Sequence, residues 1–276
     1  MTSSDPTALV DVRLGDGYEV WTMQAGPVNA LSPELLAALD AELTRAVDRD
    51  ETAVVVLTSG LRVFSAGADA TWMAELVQAE GMDALVETFV RTMDKFRALC
   101  VRMRQSPLLF VAALNGHTLA GGLELAAACD LRFSADSEKL RIGVPEMDLF
   151  GAMPSGGGGV QYLARLMQPS RALQFILDAK PVSPREGLEA GLVDRLYDGA
   201  ELLAKSEEFA ADVARKAGRI GTSAAKRAVL GGVELPLYEA MELDRSLHWD
   251  ALRRGNFRRG VEAFVAQFAS KNGKEN

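Results

Sequence analysis

The first part of the chain contains two kinds of hydrophobic periodicity. Residues 10–14 alternate between apolar and polar, and residues 20–23 resume an extended pattern after the turn-forming Gly15-Asp16-Gly17, which together predict a β-hairpin. Ser32 then precedes Pro33, and apolar residues recur at positions 36, 39, 43 and 47. Because Ser caps helices well and Pro is favoured at the first helical position, this segment is predicted to be a helix with one buried face.

Short apolar runs and helical segments alternate farther along the chain. Residues 53–57 form a β-branched run that is typical of a buried strand, and residues 108–114 form a second one after a long helical stretch. Ser183 and Glu186 have the spacing of a capping box, and Gly191 is predicted to end that helix before an extended Leu192-Val193.

Beyond about residue 200 the chain shows helical periodicity with almost no strand pattern. The helical pattern is interrupted at Gly231-Gly232 and at Pro236, where helix ends are expected. No low-complexity linker or long-period repeat divides the sequence. The pattern therefore predicts one α/β unit followed by a helical C-terminal region.

The composition limits the classes of partner. With 276 residues and 48% hydrophobic side chains, the chain can bury a full core. Its net charge of −8 opposes binding to nucleic acid or to anionic membranes, because a polyanion is repelled at long range. An anionic ligand would therefore require a local basic patch.

Cysteine usage and the N-terminus bear on the compartment. Cys100 and Cys129 lie far from any CxxC spacing, so neither a disulfide framework nor a zinc site is indicated, and no metal is expected. A reducing cytoplasm fits this pattern best. The first ten residues lack the basic and apolar regions of a signal peptide, and no apolar run approaches the roughly 18 residues that a membrane span needs.

Two segments that follow predicted strands combine small residues with an acidic residue. Residues 64–69 (FSAGAD) leave backbone amides uncovered, and Asp69 can cap the next helix. Residues 115–125 (NGHTLAGGLEL) place Gly121 at the start of an Ala-rich helix, where amide groups point outward with partial positive charge. Glu124 is a lone carboxylate in that apolar helix. Since burial of an unpaired carboxylate raises its pKa, Glu124 is a candidate for acid or base catalysis.

A third segment contains Glu146 in the sequence PEMDL, followed by a glycine run at residues 156–159. The glycine run lacks the Gly-Lys-Ser/Thr ending of a phosphate loop, and no G-x-G-x-x-G motif is placed after a strand, so nucleotide binding is not favoured. Ser155 does not fit the G-x-S-x-G motif, because Met153 occupies the position of its first glycine, so the sequence does not favour a serine hydrolase.

Taken in this order and spacing, the three segments resemble the crotonase superfamily, the enoyl-CoA hydratase/isomerase family, over nearly the whole chain. The resemblance implies an α/β fold, a spiral of repeated ββα units, over residues 1–200. It also implies a C-terminal helical region at residues 201–276 that builds a homotrimer or a dimer of trimers. The implied substrate is an acyl-CoA thioester, in the context of fatty acid metabolism, with coenzyme A as part of the substrate and no separate cofactor.

Carried onto this sequence, the resemblance implies that the backbone amides of Ala68 and Gly121 form an oxyanion hole and that Glu124 and Glu146 are paired catalytic acids. By family analogy, Glu124 orients and deprotonates water and Glu146 delivers a proton to C2 of a 2-enoyl-CoA, which is enoyl-CoA hydratase chemistry. Two interacting carboxylates titrate together, so the sequence does not assign the proton to either one.

Five further residues are implied to contact the substrate: Arg62, Ala66, Asp69, Phe264 and Lys271. Ala66 is expected near the adenine, and Phe264 or Lys271 would reach the coenzyme from a neighbouring subunit. His117 and His248 are expected to have structural roles. The segment from Glu146 to Gly151 is one residue longer than the spacing usual in the family. The resemblance therefore leaves the exact position of the Glu146 side chain open.

Other activities of the same scaffold stay open. A Δ3,Δ2-enoyl-CoA isomerase needs one carboxylate and no activated water, so the presence of both glutamates favours hydration. A CoA-thioester hydrolase, a decarboxylase or a non-catalytic CoA-ester-binding protein are further alternatives.

Overall fold

The computed structural model describes the backbone of residues 8–272 and the side chains of residues 8–267. Within this range strands and helices alternate, and the last part is helical. The strands are β1 (Val10–Leu14), β2 (Tyr18–Met23), β3 (Val54–Ser59), β4 (Val63–Ser65), β5 (Leu109–Leu114), β6 (His117–Leu119), β7 (Leu131–Ala135), β8 (Ile142–Gly143) and β9 (Arg195–Tyr197). The helices are α1 (Pro33–Asp48), α2 (Ala70–Glu80), α3 (Met82–Gln105), α4 (Gly121–Ala128), α5 (Glu146–Phe150), α6 (Gly159–Leu166), α7 (Pro169–Asp178), α8 (Pro184–Ala190), α9 (Leu202–Gly232), α10 (Leu237–Arg254) and α11 (Phe257–Asn272).

The strands form two sheets, and from β3 onward successive strands alternate between them. The larger sheet has the order β1-β2-β3-β5-β7-β9, and the smaller sheet has the order β4-β6-β8. All pairs are parallel except the hairpin β1–β2. Each of the pairs β3–β4, β5–β6 and β7–β8 contributes one strand to each sheet before a helix follows. This repetition is the predicted spiral of ββα units, and the fold class is confirmed.

The larger sheet lies between two apolar layers. All six residues of β3 are buried, as expected for a strand that is covered on both faces. Val55 and Leu57 pack in the core with α1 and α3, whereas Val54 and Val56 pack in a second cluster with Leu202 of α9. Because side chains alternate along a strand, one short β-branched run supplies both layers.

Most of the predicted local structure is present. The hairpin pairs Val10 with Met23, and the Ser32 hydroxyl accepts a hydrogen bond from the Leu35 amide at 3.3 Å. Ser183 and Glu186 form the predicted capping box, and α8 ends at Gly191.

The prediction of extended backbone at Leu192-Val193 is wrong, because β9 begins only at Arg195. The amides of Leu192 and Val193 donate to the carbonyl of Gly187, at 2.8 and 3.1 Å, and so close the end of α8 instead of joining the sheet. Both side chains are buried, which explains the apolar pair in the sequence.

The C-terminal region is helical, as predicted, and its helices end near the predicted interruptions, since α9 stops at Gly232 and α10 starts after Pro236. Gly218, with φ 61° and ψ −176°, kinks α9. The first half of α9 packs on the larger sheet through Leu202 and Ala210. The division of the chain into a core at residues 1–200 and a C-terminal region at residues 201–276 stays a prediction. None of the helices in the described range has the length and apolar character to cross a membrane.

Candidate active site

The candidate site lies at the carboxyl ends of the three strands of the smaller sheet. The segment after β4 contains Ala68, the segment after β6 contains Gly121 and Glu124, and the segment after β8 contains Glu146. Because β4, β6 and β8 are parallel neighbours, their carboxyl ends meet at one edge of the sheet. The topology therefore brings together the three segments that the sequence singles out.

The segment after β4 packs directly on the start of α4. Gly67 has φ +93°, and a Cβ atom there would lie 2.6 Å from the Cβ of Ala120 and 3.0 Å from the amide nitrogen of Gly121. Its carbonyl accepts a hydrogen bond from the Leu31 amide at 2.7 Å. Only glycine fits both this backbone conformation and this contact, so Gly67 holds the neighbouring Ala68 close to Gly121.

The start of α4 has a strained backbone. Ala120 adopts φ 52° and ψ −131°, which is rare for a residue with a side chain, and its amide donates to the Gly143 carbonyl at 2.8 Å. Gly121 is the first helical residue, and a Cβ atom there would lie 2.9 Å from Leu31 Cδ1. In the described part of the chain, the amides of Ala68 and Gly121 have no hydrogen-bond partner, so both can donate to a ligand oxygen.

Glu124 lies one turn into α4 and is 4% exposed. Its Oε2 accepts hydrogen bonds from the amides of Gly157, at 2.9 Å, and Gly159, at 2.7 Å. Burial raises the pKa of Glu124 above its ordinary value, and the hydrogen bonds from these amides offset only part of this rise. The carboxylate is therefore buried but not unpaired, and the donors favour its ionised form.

The glycine run is the functional element that the sequence analysis missed. A Cβ atom at Gly159 would lie 2.7 Å from Glu124 Cγ and 2.8 Å from Pro154 O, so a larger residue would displace the acid. Gly159 is also the first residue of α6, and amides at a helix start favour negative charge. The glycine run itself is visible in the sequence. Its partner Glu124, however, lies 33 residues before Gly157 and 35 residues before Gly159.

Glu146 begins the short helix α5 and is half-buried. Its Oε2 is buried and has no hydrogen-bond partner among the described residues. Burial raises the pKa of Glu146 to about 7, and the nearby charge of Glu124 adds to this effect. The segment with the extra residue forms one helical turn, which Gly151 ends in the left-handed conformation with φ 61°.

The two glutamates thus differ in their surroundings, although the charge of Glu124 helps to raise the pKa of Glu146. Glu124 has fixed amide donors, whereas Glu146 has a buried oxygen without one. Two carboxyl groups can act as a base and an acid at the same pH when their environments give them different pKa values. Next to two free amide donors, such a pair suits addition or removal of a proton beside a carbonyl group.

Three of the residues predicted to contact the substrate lie just before or after β4. Arg62 is exposed just before β4, and Ala66 is half-buried, with its amide donating to Val28 O at 3.1 Å. Asp69 caps α2 as predicted and accepts from the amides of Thr71 and Trp72, both at 3.0 Å.

Two other predicted contacts belong to the last helix. Phe264 of α11 is exposed, and the side chain of Lys271 lies outside the described residues. Of the histidines, His117 is part of β6 and its Nδ1 accepts a hydrogen bond from the Arg141 amide at 3.1 Å, and His248 is exposed on α10.

The fold and the three segments define the class of protein. The family described as enoyl-CoA hydratase/isomerase matches residues 17–271, and the chain belongs to this family, within the crotonase superfamily. The chain is 33% identical to YngF of Bacillus subtilis (strain 168) over 237 residues, which cover 86% of each protein.

Two more comparisons agree with this result. The crystal structure of an enoyl-CoA hydratase from Bacillus anthracis superposes with a TM-score of 0.86 at 29% identity, covering 94% of this chain and 96% of that one. The chain is also 36% identical over 199 residues to the peroxisomal fatty acid beta-oxidation multifunctional protein MFP2 of Arabidopsis thaliana. That match covers 72% of this chain and 26% of MFP2.

Proposed function

We propose that the protein is an enoyl-CoA hydratase, which adds water across the C2=C3 bond of a 2-enoyl-CoA thioester. The observation that carries the proposal is the contrast between the two glutamates. Glu124 has two amide donors that favour its ionised form, and Glu146 has a pKa of about 7 and a buried oxygen without a partner. Hydration needs a base for water and an acid for carbon at the same time.

The amides of Ala68 and Gly121 act on the thioester oxygen. As oxygen from water bonds to C3, electrons of the C2=C3 bond move towards C1, and negative charge collects on that oxygen. Two N–H groups fixed by Gly67 and Ala120 stabilise this charge without reorganising. Loss of one such donor typically costs about 10²–10³ in rate.

The glutamates move the protons. Glu124 takes a proton from the attacking water on its Oε1, because Oε2 is occupied by the Gly157 and Gly159 amides. Glu146 gives its proton to C2, which completes the addition of one water molecule. The carboxyl groups end with exchanged protonation, and proton transfer through solvent or between them restores the starting state.

A Δ3,Δ2-enoyl-CoA isomerase is the second candidate. It is favoured by Glu146, since one carboxyl group that titrates near neutral pH suffices to move a proton between C2 and C4. Isomerisation gives no role to the fixed carboxylate of Glu124, and this favours hydration. Three further alternatives use fewer of the groups in the site than hydration does. They are a thioester hydrolase, a decarboxylase and a non-catalytic CoA-ester-binding protein.

The remaining features of the proposed function concern coenzyme and assembly. Arg62, Ala66 and Asp69 would contact the coenzyme from the same chain, and Phe264 and Lys271 would do so from a neighbouring copy. Exposed apolar residues on the C-terminal helices, such as Leu237 and Tyr238, support a homotrimer or a dimer of trimers. Free, buried cysteines support a cytoplasmic location. Coenzyme A enters as part of the substrate, with no separate cofactor.

The test is a pair of assays on purified protein. With crotonyl-CoA and longer 2-enoyl-CoAs, we expect the absorbance of the conjugated thioester to fall as water adds. With 3-enoyl-CoA, an isomerase would instead increase that absorbance. An increase with 3-enoyl-CoA together with no change for every 2-enoyl-CoA would assign isomerisation and reject hydration.

A further inference from the structure

The turn that precedes Ala68 lies against residues 28–31. The Leu31 amide donates to the Gly67 carbonyl at 2.7 Å, and Ala30 forms an isolated parallel bridge with Gly67. Because Ala68 is the next residue along the chain, a rotation of this turn would change the direction of the Ala68 amide. The contacts that hold the turn therefore bear on the proposed oxyanion hole.

A buried hydroxyl links the turn to this neighbouring segment. Ser65 is the last residue of β4 and is fully buried. Its Oγ donates to the Asn29 carbonyl at 2.8 Å and accepts from the Gly67 amide at 3.2 Å, so the single proton of the hydroxyl is used and one of its acceptor sites is filled. The packing is close, since a Cβ atom at Gly122 would lie 2.8 Å from Ser65 Cβ. The direction of the hydroxyl is therefore fixed.

Asn29 anchors the other end of this link. It is fully buried and has φ 47°, a left-handed conformation that asparagine adopts more readily than most residues with a side chain. Its Nδ2 donates to Ser59 Oγ at 2.7 Å and to the Phe64 carbonyl at 3.0 Å. Its Oδ1 accepts from the Ala25 amide at 2.8 Å. These bonds attach Asn29 to the ends of β3 and β4, so its carbonyl is a fixed acceptor for Ser65.

The link acts at a distance from the substrate. Because the side chains of Asn29 and Ser65 are fully buried, any effect of theirs on the reaction must pass through Gly67 and Ala68. A donor stabilises a developing charge only when it points to the place where the charge collects. A displacement of about 1 Å in an active site can cost about a hundredfold in rate.

We propose that Ser65 and Asn29 are positioning residues, which aim the Ala68 amide at the thioester oxygen by fixing Gly67. The inference rests on the proposed function, because that function assigns the Ala68 amide to this oxygen. Without the Ser65 hydroxyl, the turn loses its link to Asn29, and the Ala68 amide is no longer held in one direction. The Gly121 amide, at the start of α4, keeps its position.

Ser65→Ala tests the proposal by steady-state kinetics with crotonyl-CoA and by infrared spectroscopy of bound butanoyl-CoA that carries carbon-13 at C1. Butanoyl-CoA has no C2=C3 bond to hydrate, and its carbonyl stretching frequency falls when donors polarise the C=O bond. We expect kcat to fall about tenfold to a hundredfold while KM stays within about threefold of the wild type. The downshift of the carbonyl frequency should be roughly half that of the wild type, since one of two donors is displaced.

Ser206→Ala is the matched control. Ser206 is also fully buried, and its Oγ donates to the Leu202 carbonyl at 2.8 Å within α9. This variant should keep the wild-type kcat and carbonyl frequency even where it lowers stability. Ser65→Cys, whose thiol is a weaker donor, should lie between the wild type and Ser65→Ala. It decides the question where Ser65→Ala fails to fold, because its kcat and its carbonyl downshift should both be smaller than those of the wild type.

A folded Ser65→Ala variant with the kcat and carbonyl frequency of the wild type would overturn the proposal, whatever its loss of stability. So would an equal loss of kcat in Ser206→Ala, or a change confined to KM. The infrared measurement does not depend on hydration. A wild-type downshift that Ser65→Ala reduces, combined with no hydration of any 2-enoyl-CoA, would support the positioning role and reject the hydratase assignment alone.

Discussion

Replacing Glu146 by glutamine should raise stability and lower activity at the same time. In the folded protein, burial moves the pKa of this carboxyl from its ordinary value of 4.5 to about 7. At 1.36 kcal/mol per pH unit, this shift corresponds to roughly 3 kcal/mol against the ionised form. Because the side chain is only partly buried, solvent screening reduces the effect to about 1–2 kcal/mol.

The sign follows from the raised pKa. The folded state binds the Glu146 proton more tightly than the unfolded state, so the stability from this group is fully present below pH 4.5 and is lost as pH rises through about 7. Glu146→Gln has no such group. The variant should therefore be about 1–2 kcal/mol more stable than the wild type at pH 8.5, and the difference should shrink towards pH 4.5.

Urea unfolding across this pH range, at one fixed protein concentration, measures the difference. Hydration of crotonyl-CoA by the variant should fall about a hundredfold to ten-thousandfold, the usual contribution of a general acid. The wild-type rate should fall above about pH 7. Asp148→Asn on the exposed side of α5 is the control and should change neither property. If Glu146→Gln has the same pH dependence of stability as the wild type, the reasoning about this carboxyl is refuted.

Three further substitutions test other contacts. Gly159→Ala places a methyl group 2.7 Å from Glu124 Cγ, so the hydration rate should fall at least about tenfold in a folded protein, whereas Gly199→Ala, where only an ordinary contact is made, should keep the wild-type rate. Gly67→Ala puts a side chain on a residue with φ +93° and 2.6 Å from the Cβ of Ala120. The hydration rate of this variant should be strongly reduced, and circular dichroism should show that the protein is folded. Lys226→Met leaves the Asp130 carboxylate buried without its cation, and urea unfolding at pH 7 should show a loss of about 3–5 kcal/mol. Lys205→Met, which removes a surface ion pair with Glu208, should show no comparable loss. An equal loss in both variants would contradict the assigned role of the buried pair.

The parts of the fold that the sequence predicts are those set by local chemistry. Ser32 with Pro33 and Ser183 with Glu186 are capping signals that act over three or four residues, and both helices begin where these signals place them. The β-branched run at residues 53–57 is also a local signal, and it predicts a strand. Leu192-Val193 shows where prediction from local sequence fails. Two apolar residues indicate that a segment is buried, but they do not indicate whether its backbone hydrogen bonds belong to a strand or to a helix end.

The candidate site is divided in the same way. The segments that contain Ala68, Gly121, Glu124 and Glu146 can be found in the sequence because each has a distinct composition, and their roles stay proposals. The environment of Glu124 could not be found, since its donors come from a turn more than thirty residues away. The positive φ of Ala120 leaves no trace either, because alanine is not a residue that indicates such a conformation.

The smaller sheet has a consequence for the order in which function and structure are lost on heating. Its strands have three, three and two residues, whereas β3 and β5 have six each in the buried larger sheet. Short ladders open by local fluctuations that cost far less free energy than global unfolding. We expect amide hydrogens of β4, β6 and β8 to exchange with deuterium well before those of β3. Thermal inactivation should accordingly begin while the protein still retains most of its circular dichroism.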